Sequence, residues 1–66
     1  MEIFVNGEPV SVPEASRVIQ LIEQLSLQDA RIAVELNREI IPRSQYDATP
    51  LTSGDRVEIV QAIGGG

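Results

Sequence analysis

The fold is decided by residues 54–66, which read Gly-Asp-Arg-Val-Glu-Ile-Val-Gln-Ala-Ile-Gly-Gly-Gly. From residue 56 to residue 61 apolar side chains recur at alternate positions, and this period of two predicts a strand with one buried face. The strand runs without a linker into three glycines. Because glycine has no Cβ and reaches φ values closed to other residues, such an ending is slim and flexible. We therefore predict a folded domain over residues 1–62 and a flexible glycine tail over residues 63–66.

Four segments upstream also have strand character, because they alternate or lie between turn signals. These segments are residues 2–6, 10–12, 32–36 and 40–41. Residues 6–9 separate the first two, and their Asn-Gly pair favours a tight hairpin. Residues 37–39 form a turn between the last two, and Pro42 closes the fourth segment, which suits an edge strand.

The apolar period changes from two to that of a helix at residue 18. One stripe of the predicted helix comprises Val18, Ile19, Leu21, Ile22 and Leu25. Ser16 is the expected N-cap, and residues 26–29 end the helix without a glycine. A single helix covers only one face of a sheet, so the order of elements predicts a two-layer α+β fold whose other sheet face is open.

The composition excludes most kinds of active site. The chain has 66 residues, with no cysteine and no histidine. It therefore has no disulfide, no thiolate nucleophile and no zinc knuckle, and it lacks the side chain that titrates near neutral pH. We expect no catalytic residue, no metal site and no bound cofactor.

The charge balance narrows the choice of partner. Ten acidic residues against five basic ones give a net charge of −5. This argues against nucleic acid and anionic membranes, which require clustered Lys and Arg, and it favours a partner with a basic docking surface. No signal peptide and no apolar run of about 18 residues is visible, so the expected location is cytoplasmic.

Three segments together resemble the bacterial ThiS family, the sulfur carrier proteins of thiamine biosynthesis, which have the ubiquitin-like β-grasp fold. The segments are residues 3–7, 34–43 and 54–66. The resemblance spans essentially the whole chain, including its length. It implies a mixed sheet of four to five strands packed on one main helix.

The resemblance also implies a function as a protein co-substrate and not as an enzyme. An E1-like activating enzyme would adenylate Gly66 while consuming ATP. Sulfur from a persulfide donor would then leave a thiocarboxylate at Gly66, and a thiazole synthase would take that sulfur for thiazole formation. Gly64 and Gly65 would form the slim arm that threads into these partner enzymes.

Strand parity predicts where a partner would dock. The apolar residues expected to face the helix are Ile3, Val5, Val34, Leu36, Val57 and Ile59. Phe4 and Val60 then fall on the open face beside Glu35 and Glu58. We predict a partner surface formed by Phe4, Val60, Glu58 and, in the tail, Ile63.

Arg43, next to Pro42, is expected to make a local salt bridge and not to touch a partner.

Two alternative functions remain open at this point. The small subunit of molybdopterin synthase has the same fold, tail and activation chemistry. Such chains usually carry prolines shortly before their Gly-Gly ending, where this chain has Gln61, Ala62 and Ile63. The second alternative is a non-covalent ubiquitin-like interaction module whose tail has no role.

Overall fold

The computed structural model describes residues 1–61. Its elements are β1 (Glu2–Val5), β2 (Glu8–Ser11), α1 (Val18–Gln24), β3 (Ile32–Leu36), β4 (Glu39–Ile41), a 3-10 turn (Arg43–Gln45) and β5 (Arg56–Gln61). The bounds of β3 and β5 agree with the predicted strands. The predicted boundary between a domain ending at residue 62 and a tail starting at residue 63 lies outside the described residues.

The five strands form one mixed sheet in the order β2-β1-β5-β3-β4. The β1–β5 pair is parallel, while the β1–β2, β3–β4 and β3–β5 pairs are antiparallel. The first and last strands of the described chain are therefore neighbours at the centre of the sheet. The predicted mixed sheet on one helix is confirmed.

The hydrophobic core lies between the sheet and α1. Strand and helix side chains join one buried cluster, which includes Ile3, Val34, Val57 and Ile59 from the sheet and Val18, Leu21 and Ile22 from the helix. Val5 and Leu36 are partly buried and pack against the same cluster. The predicted set of helix-facing residues is thus confirmed.

The β1–β2 turn is shorter than predicted. Asn6 and Gly7 have φ values of 51° and 85°, and two consecutive positive values are those of a two-residue type I′ turn. β2 therefore begins at Glu8, and the prediction that residues 8 and 9 belong to the turn was wrong. Pro9 lies in β2 opposite Phe4, where an edge strand tolerates its missing N–H.

The predicted N-cap was also wrong. The N-cap is Arg17, whose backbone is extended and whose N–H donates to Oε1 of Gln20 at 2.6 Å. Ser16 is 4% exposed, and its hydroxyl donates to the carbonyl of Pro13 at 2.7 Å. The hydroxyl closes the preceding turn, so it does not cap the helix.

The helix ends in a Schellman motif that does without glycine. The N–H of Leu27 donates to the carbonyl of Ile22 at 2.9 Å, and that of Ser26 donates to Glu23 at 3.0 Å. This is the bond pattern of the motif, whose left-handed position is usually glycine. Here Ser26 occupies it with a φ of 59°, which explains why the sequence left the boundary undefined.

The segment between β4 and β5 supports the start of the helix. The backbone N–H groups of Val18 and Ile19 donate to the carbonyls of Thr49 and Tyr46, each at 2.9 Å. These are first-turn donors that a helix cannot satisfy internally. Tyr46 is buried in the core, so this segment, predicted as irregular, is fixed by packing.

Candidate partner-binding face around the last strand

The strand β5 has unequal neighbours on its two sides. β3 pairs with it from Val57 to Gln61. β1 pairs with it in parallel only at Arg56 and Val57, opposite Phe4 and Val5. Beyond Val57, therefore, no strand among the described residues continues the β1 side of the ladder.

The Asn6 side chain takes the place of a strand on that side. Its Nδ2 donates to the carbonyl of Ile59 at 3.1 Å, and its Oδ1 accepts from the N–H of Ile59 at 2.8 Å. The amide thus carries the β1–β5 ladder two residues further along β5. We call this paired contact the Asn6 clamp.

A second asparagine fixes the beginning of β5. The Oδ1 of Asn37 accepts from the N–H of Arg56 at 2.9 Å, and the backbone N–H of Asn37 donates to the carbonyl of Arg56 at 2.7 Å. From the sequence, Asn6 was placed at the end of the first strand and in the turn that follows it, and Asn37 was placed in a turn. The signal that was missed is that an amide side chain carries both a donor and an acceptor, as a backbone unit does.

Phe4 is less exposed than strand parity suggested. It is half-buried, lies opposite Pro9 on one side and Arg56 on the other, and has the Arg56 guanidinium 5.9 Å from its ring centroid. That distance is within the range of a cation–π contact. Phe4 therefore lies on the open face as predicted, but its flanking strands leave it only partly exposed.

The other predicted surface residues that the structure describes are on the open face as expected. Val60 is 65% exposed, and Glu58 is exposed. Glu58 lies directly opposite Glu35 across the β3–β5 pair, and like charges in that relation destabilise a sheet.

The structure adds Ile40 to this face. Its side chain is 75% exposed and lies opposite Glu35 on the edge strand β4. The sequence contains the signal, since two adjacent isoleucines in one strand must point to opposite faces. Ile41 packs against the core, so Ile40 points outward.

A shallow cavity of about 440 Å³ lies on the open face, beside the C-terminal end of β5. Its lining residues are Arg31, Ile32, Ala33, Arg43 and Val60. Arg43 also has the local role that was expected, although through a hydrogen bond, because its Nη2 donates to the carbonyl of Ala30 at 2.9 Å.

Within residues 1–61, no group of three or more acidic side chains is placed to hold a metal ion. In the same range no helix has the length and apolar character needed to cross a membrane. The predicted tail residues Ile63, Gly64, Gly65 and Gly66 lie outside the described part of the chain.

Comparison with known proteins gives the family. The sequence profile of the ThiS family matches residues 2–66. The chain belongs to the ThiS family. The sulfur carrier protein ThiS of Escherichia coli (strain K12) is 32% identical over 66 residues, which is 100% of both chains.

A solved structure confirms the fold of this ThiS-family chain. The crystal structure of the thiamine biosynthesis protein ThiS from Geobacter metallireducens has a TM-score of 0.85 and 39% identity, and it covers 100% of both chains. The predicted β-grasp fold is thereby confirmed. The prediction of a carrier and not an enzyme is confirmed as well, because the full-length Escherichia coli relative is named a sulfur carrier protein.

A longer protein contains a similar stretch. A thiazole synthase of Paramagnetospirillum magneticum (strain ATCC 700264 / AMB-1) is 38% identical over 66 residues, which is all of this chain. The chain spans 20% of the length of that relative.

Proposed function

We propose that this chain is the sulfur carrier of thiamine biosynthesis, with Gly66 as the residue that is adenylated and then converted to a thiocarboxylate. The observation that carries the proposal is the family match through residue 66, which includes all three tail glycines. The thiamine role is supported by the name of the Geobacter metallireducens structure. The thiocarboxylate would donate its sulfur for thiazole formation.

The chemistry follows from the weakness of a carboxylate as an acyl electrophile. Adenylation by an E1-like activating enzyme, at the cost of one ATP, would make Gly66 reactive toward sulfur from a persulfide donor. The carrier itself needs no base, nucleophile or metal for these steps. A chain with no cysteine and no histidine is suited to that passive role.

The proposed partners are the activating enzyme, the persulfide sulfur donor and a thiazole synthase. The last of these is supported by the relatives named thiazole synthase, which match all of this chain. Gly64 and Gly65 would enter a channel too narrow for a Cβ. The open face of the sheet, with Phe4, Glu58 and Val60, would dock against the same enzymes.

The first test is the intact mass of the protein taken from sulfur-replete cells that contain the activating enzyme. Replacement of one carboxylate oxygen by sulfur adds about 16 Da, which is the mark of the thiocarboxylate intermediate. Consistent absence of this species would count against the proposal.

The second test separates the tail from the folded domain. Gly65→Trp should abolish adenylation, measured by ATP–pyrophosphate exchange, without changing the thermal unfolding of the protein. Ser53→Trp adds the same bulk at an exposed turn and should be adenylated as the parent is. A normal rate for the Gly65 variant would contradict a threaded tail.

Co-purification distinguishes the thiamine role from the alternative role as the small subunit of molybdopterin synthase. We expect a thiazole synthase to be captured. Capture of a large molybdopterin synthase subunit in its place would overturn the thiamine assignment while leaving the carrier chemistry intact.

A further inference from the structure

The β1–β2 turn contains an asparagine that is followed directly by a glycine. Asn6 and Gly7 are both exposed. Among residues 1–61, no heavy atom beyond the two chain neighbours of Gly7 lies within 4 Å of the place that a Cβ would take there. Because glycine has no Cβ, its backbone nitrogen can approach the side chain of the preceding asparagine without obstruction. The turn therefore combines a reactive pair of residues with free access to water.

The reaction open to this pair is deamidation through a cyclic imide. The backbone nitrogen of Gly7 attacks Cγ of Asn6, so that an N–Cγ bond forms and the Cγ–Nδ2 bond breaks. The leaving Nδ2 group takes the proton of the Gly7 amide and departs as ammonia. Water then opens the imide at one of its two carbonyls, which leaves aspartate or isoaspartate at position 6. The reaction involves no change of oxidation state.

The Asn6 clamp opposes this reaction. Nδ2 of Asn6 donates to the carbonyl of Ile59 at 3.1 Å, and Oδ1 accepts from the N–H of Ile59 at 2.8 Å. The backbone N–H of Asn6 donates to the carbonyl of Val57 at 2.9 Å, so both the main chain and the side chain are held on β5. Attack makes the planar Cγ tetrahedral and expels Nδ2, so the clamp is lost on the way to the imide and the Ile59 carbonyl loses its donor.

We propose that Asn6 is a deamidation site, which is protected while the Asn6 clamp is closed and reacts when β5 separates from β1. This inference goes beyond the proposed function and does not depend on it. The product cannot restore the clamp, because an ionised carboxylate has only acceptors and would face the Ile59 carbonyl. Isoaspartate would in addition lengthen the main chain of a two-residue turn by one carbon. Opening of the sheet would thus leave a permanent chemical mark at one position.

A second asparagine in the same chain provides a matched comparison. Asn37 and Arg38 have φ values of 49° and 71°, so they also form a turn with two consecutive positive values. The Asn37 amide is likewise hydrogen-bonded at both ends, because Nδ2 donates to Oδ1 of Asp55 at 3.1 Å and Oδ1 accepts from the N–H of Arg56 at 2.9 Å. The residue that follows the asparagine differs, since the arginine side chain obstructs the attacking nitrogen.

The test follows deamidation of the purified protein at mildly alkaline pH, from no urea to concentrations above the unfolding midpoint. Each event adds about 1 Da, and trypsin separates the two asparagines into peptides 1–17 and 32–38. Because β5 is central in the sheet, its separation opens the core, and the Asn6 rate should rise at least about tenfold through the unfolding transition. Equal rates in native and unfolded protein would overturn the protective role of the clamp.

The chemical assignment is tested in the unfolded protein, where folding of a variant does not matter. Asn37 should react at least about tenfold more slowly than Asn6 in urea, because its neighbour has a side chain. Gly7→Arg copies the Asn37–Arg38 pair at the first turn and should slow the Asn6 reaction by a similar factor. An unchanged rate in this variant, or an Asn37 rate equal to that of Asn6, would overturn the reaction through Gly7.

The effect of the product is measured with Asn6→Asp, which corresponds to one of the two products. It should lower Tm by about 4–8 °C, because the carbonyl of Ile59 loses its donor and faces a carboxylate. Gln28→Glu makes the same change from amide to carboxylate at an exposed position and should leave Tm within about 1 °C of the parent. Equal losses in the two variants would show that the clamp has no specific role and would overturn the inference.

Discussion

The two faces of β5 differ in burial and in charge. On the helix side, Val57 and Ile59 are 1% and 8% exposed and complete the core. On the open side, Val60 is 65% exposed and Glu58 faces another carboxylate, Glu35. One strand thus carries a face that stabilises the fold and a face that weakens it slightly.

If the open face docks partners as proposed, stability and recognition are separated by strand parity. A protein of this size has a small core and a modest margin of stability. Keeping an exposed Ile40 and two opposed carboxylates on the open face has no benefit for folding alone. Such a surface is what a docking face requires.

The largest expected effect tests the buried face. Leu21→Ala should lower the free energy of unfolding by about 3 kcal/mol, because it removes a fully buried side chain and leaves a cavity. Ile40→Ala, on the exposed face, should change it by less than about 0.5 kcal/mol. Urea denaturation of the two variants measures both values. Similar losses of unfolding free energy at the two positions would contradict the difference between the two faces.

Phe4 should show an intermediate effect, because it lies on the open face and is half-buried. Phe4→Ala should cost about 1–2 kcal/mol of stability through lost apolar burial and should weaken binding to the activating enzyme. Phe4→Leu keeps much of the apolar volume but removes the contact with Arg56, so it isolates the aromatic contribution. A Phe4→Ala protein that binds as tightly as the parent would remove Phe4 from the docking face.

The smallest effect has the opposite sign. Glu35→Gln removes the repulsion with Glu58 and should raise the free energy of unfolding by about 0.2–1 kcal/mol. Glu23→Gln makes the same change in net charge on the exposed side of α1 and controls for it. Unfolding at low and high salt should show the gain of Glu35→Gln shrinking as salt screens the pair. An equal gain in both variants would mean that the Glu35–Glu58 pair does not specifically lower the free energy of unfolding.

The sequence predicted the elements whose pattern is local. Alternation set the bounds of β3 and β5, and the apolar stripe located α1. It also predicted which strand residues face the helix, because parity depends only on neighbouring positions. The family resemblance then supplied what alternation cannot, which is a mixed sheet packed on one main helix, and the structure adds the order of the strands and the parallel β1–β5 pair.

The features that were missed depend on contacts between distant parts of the chain. Ser16 is of a residue type that often caps helices, but its hydroxyl donates to the carbonyl of Pro13 instead. Asn6 is of a residue type that is common in turns, but its side-chain amide is hydrogen-bonded to Ile59, 53 residues away. The partial burial of Phe4 likewise depends on which strands flank it. A single sequence shows which side chains can make such bonds, but it does not specify which distant groups they meet.

The position of β5 has a consequence for how the protein is made. β1 and β5 are adjacent in the sheet but lie at opposite ends of the described chain, so the core closes only through contacts of high sequence separation. During synthesis from the N-terminus, the sheet lacks its central strand until residues 56–61 have left the ribosome. A chain truncated before them cannot complete the core or form the Asn6 clamp. Folded molecules are therefore those whose synthesis has already reached the strand that leads directly to the tail.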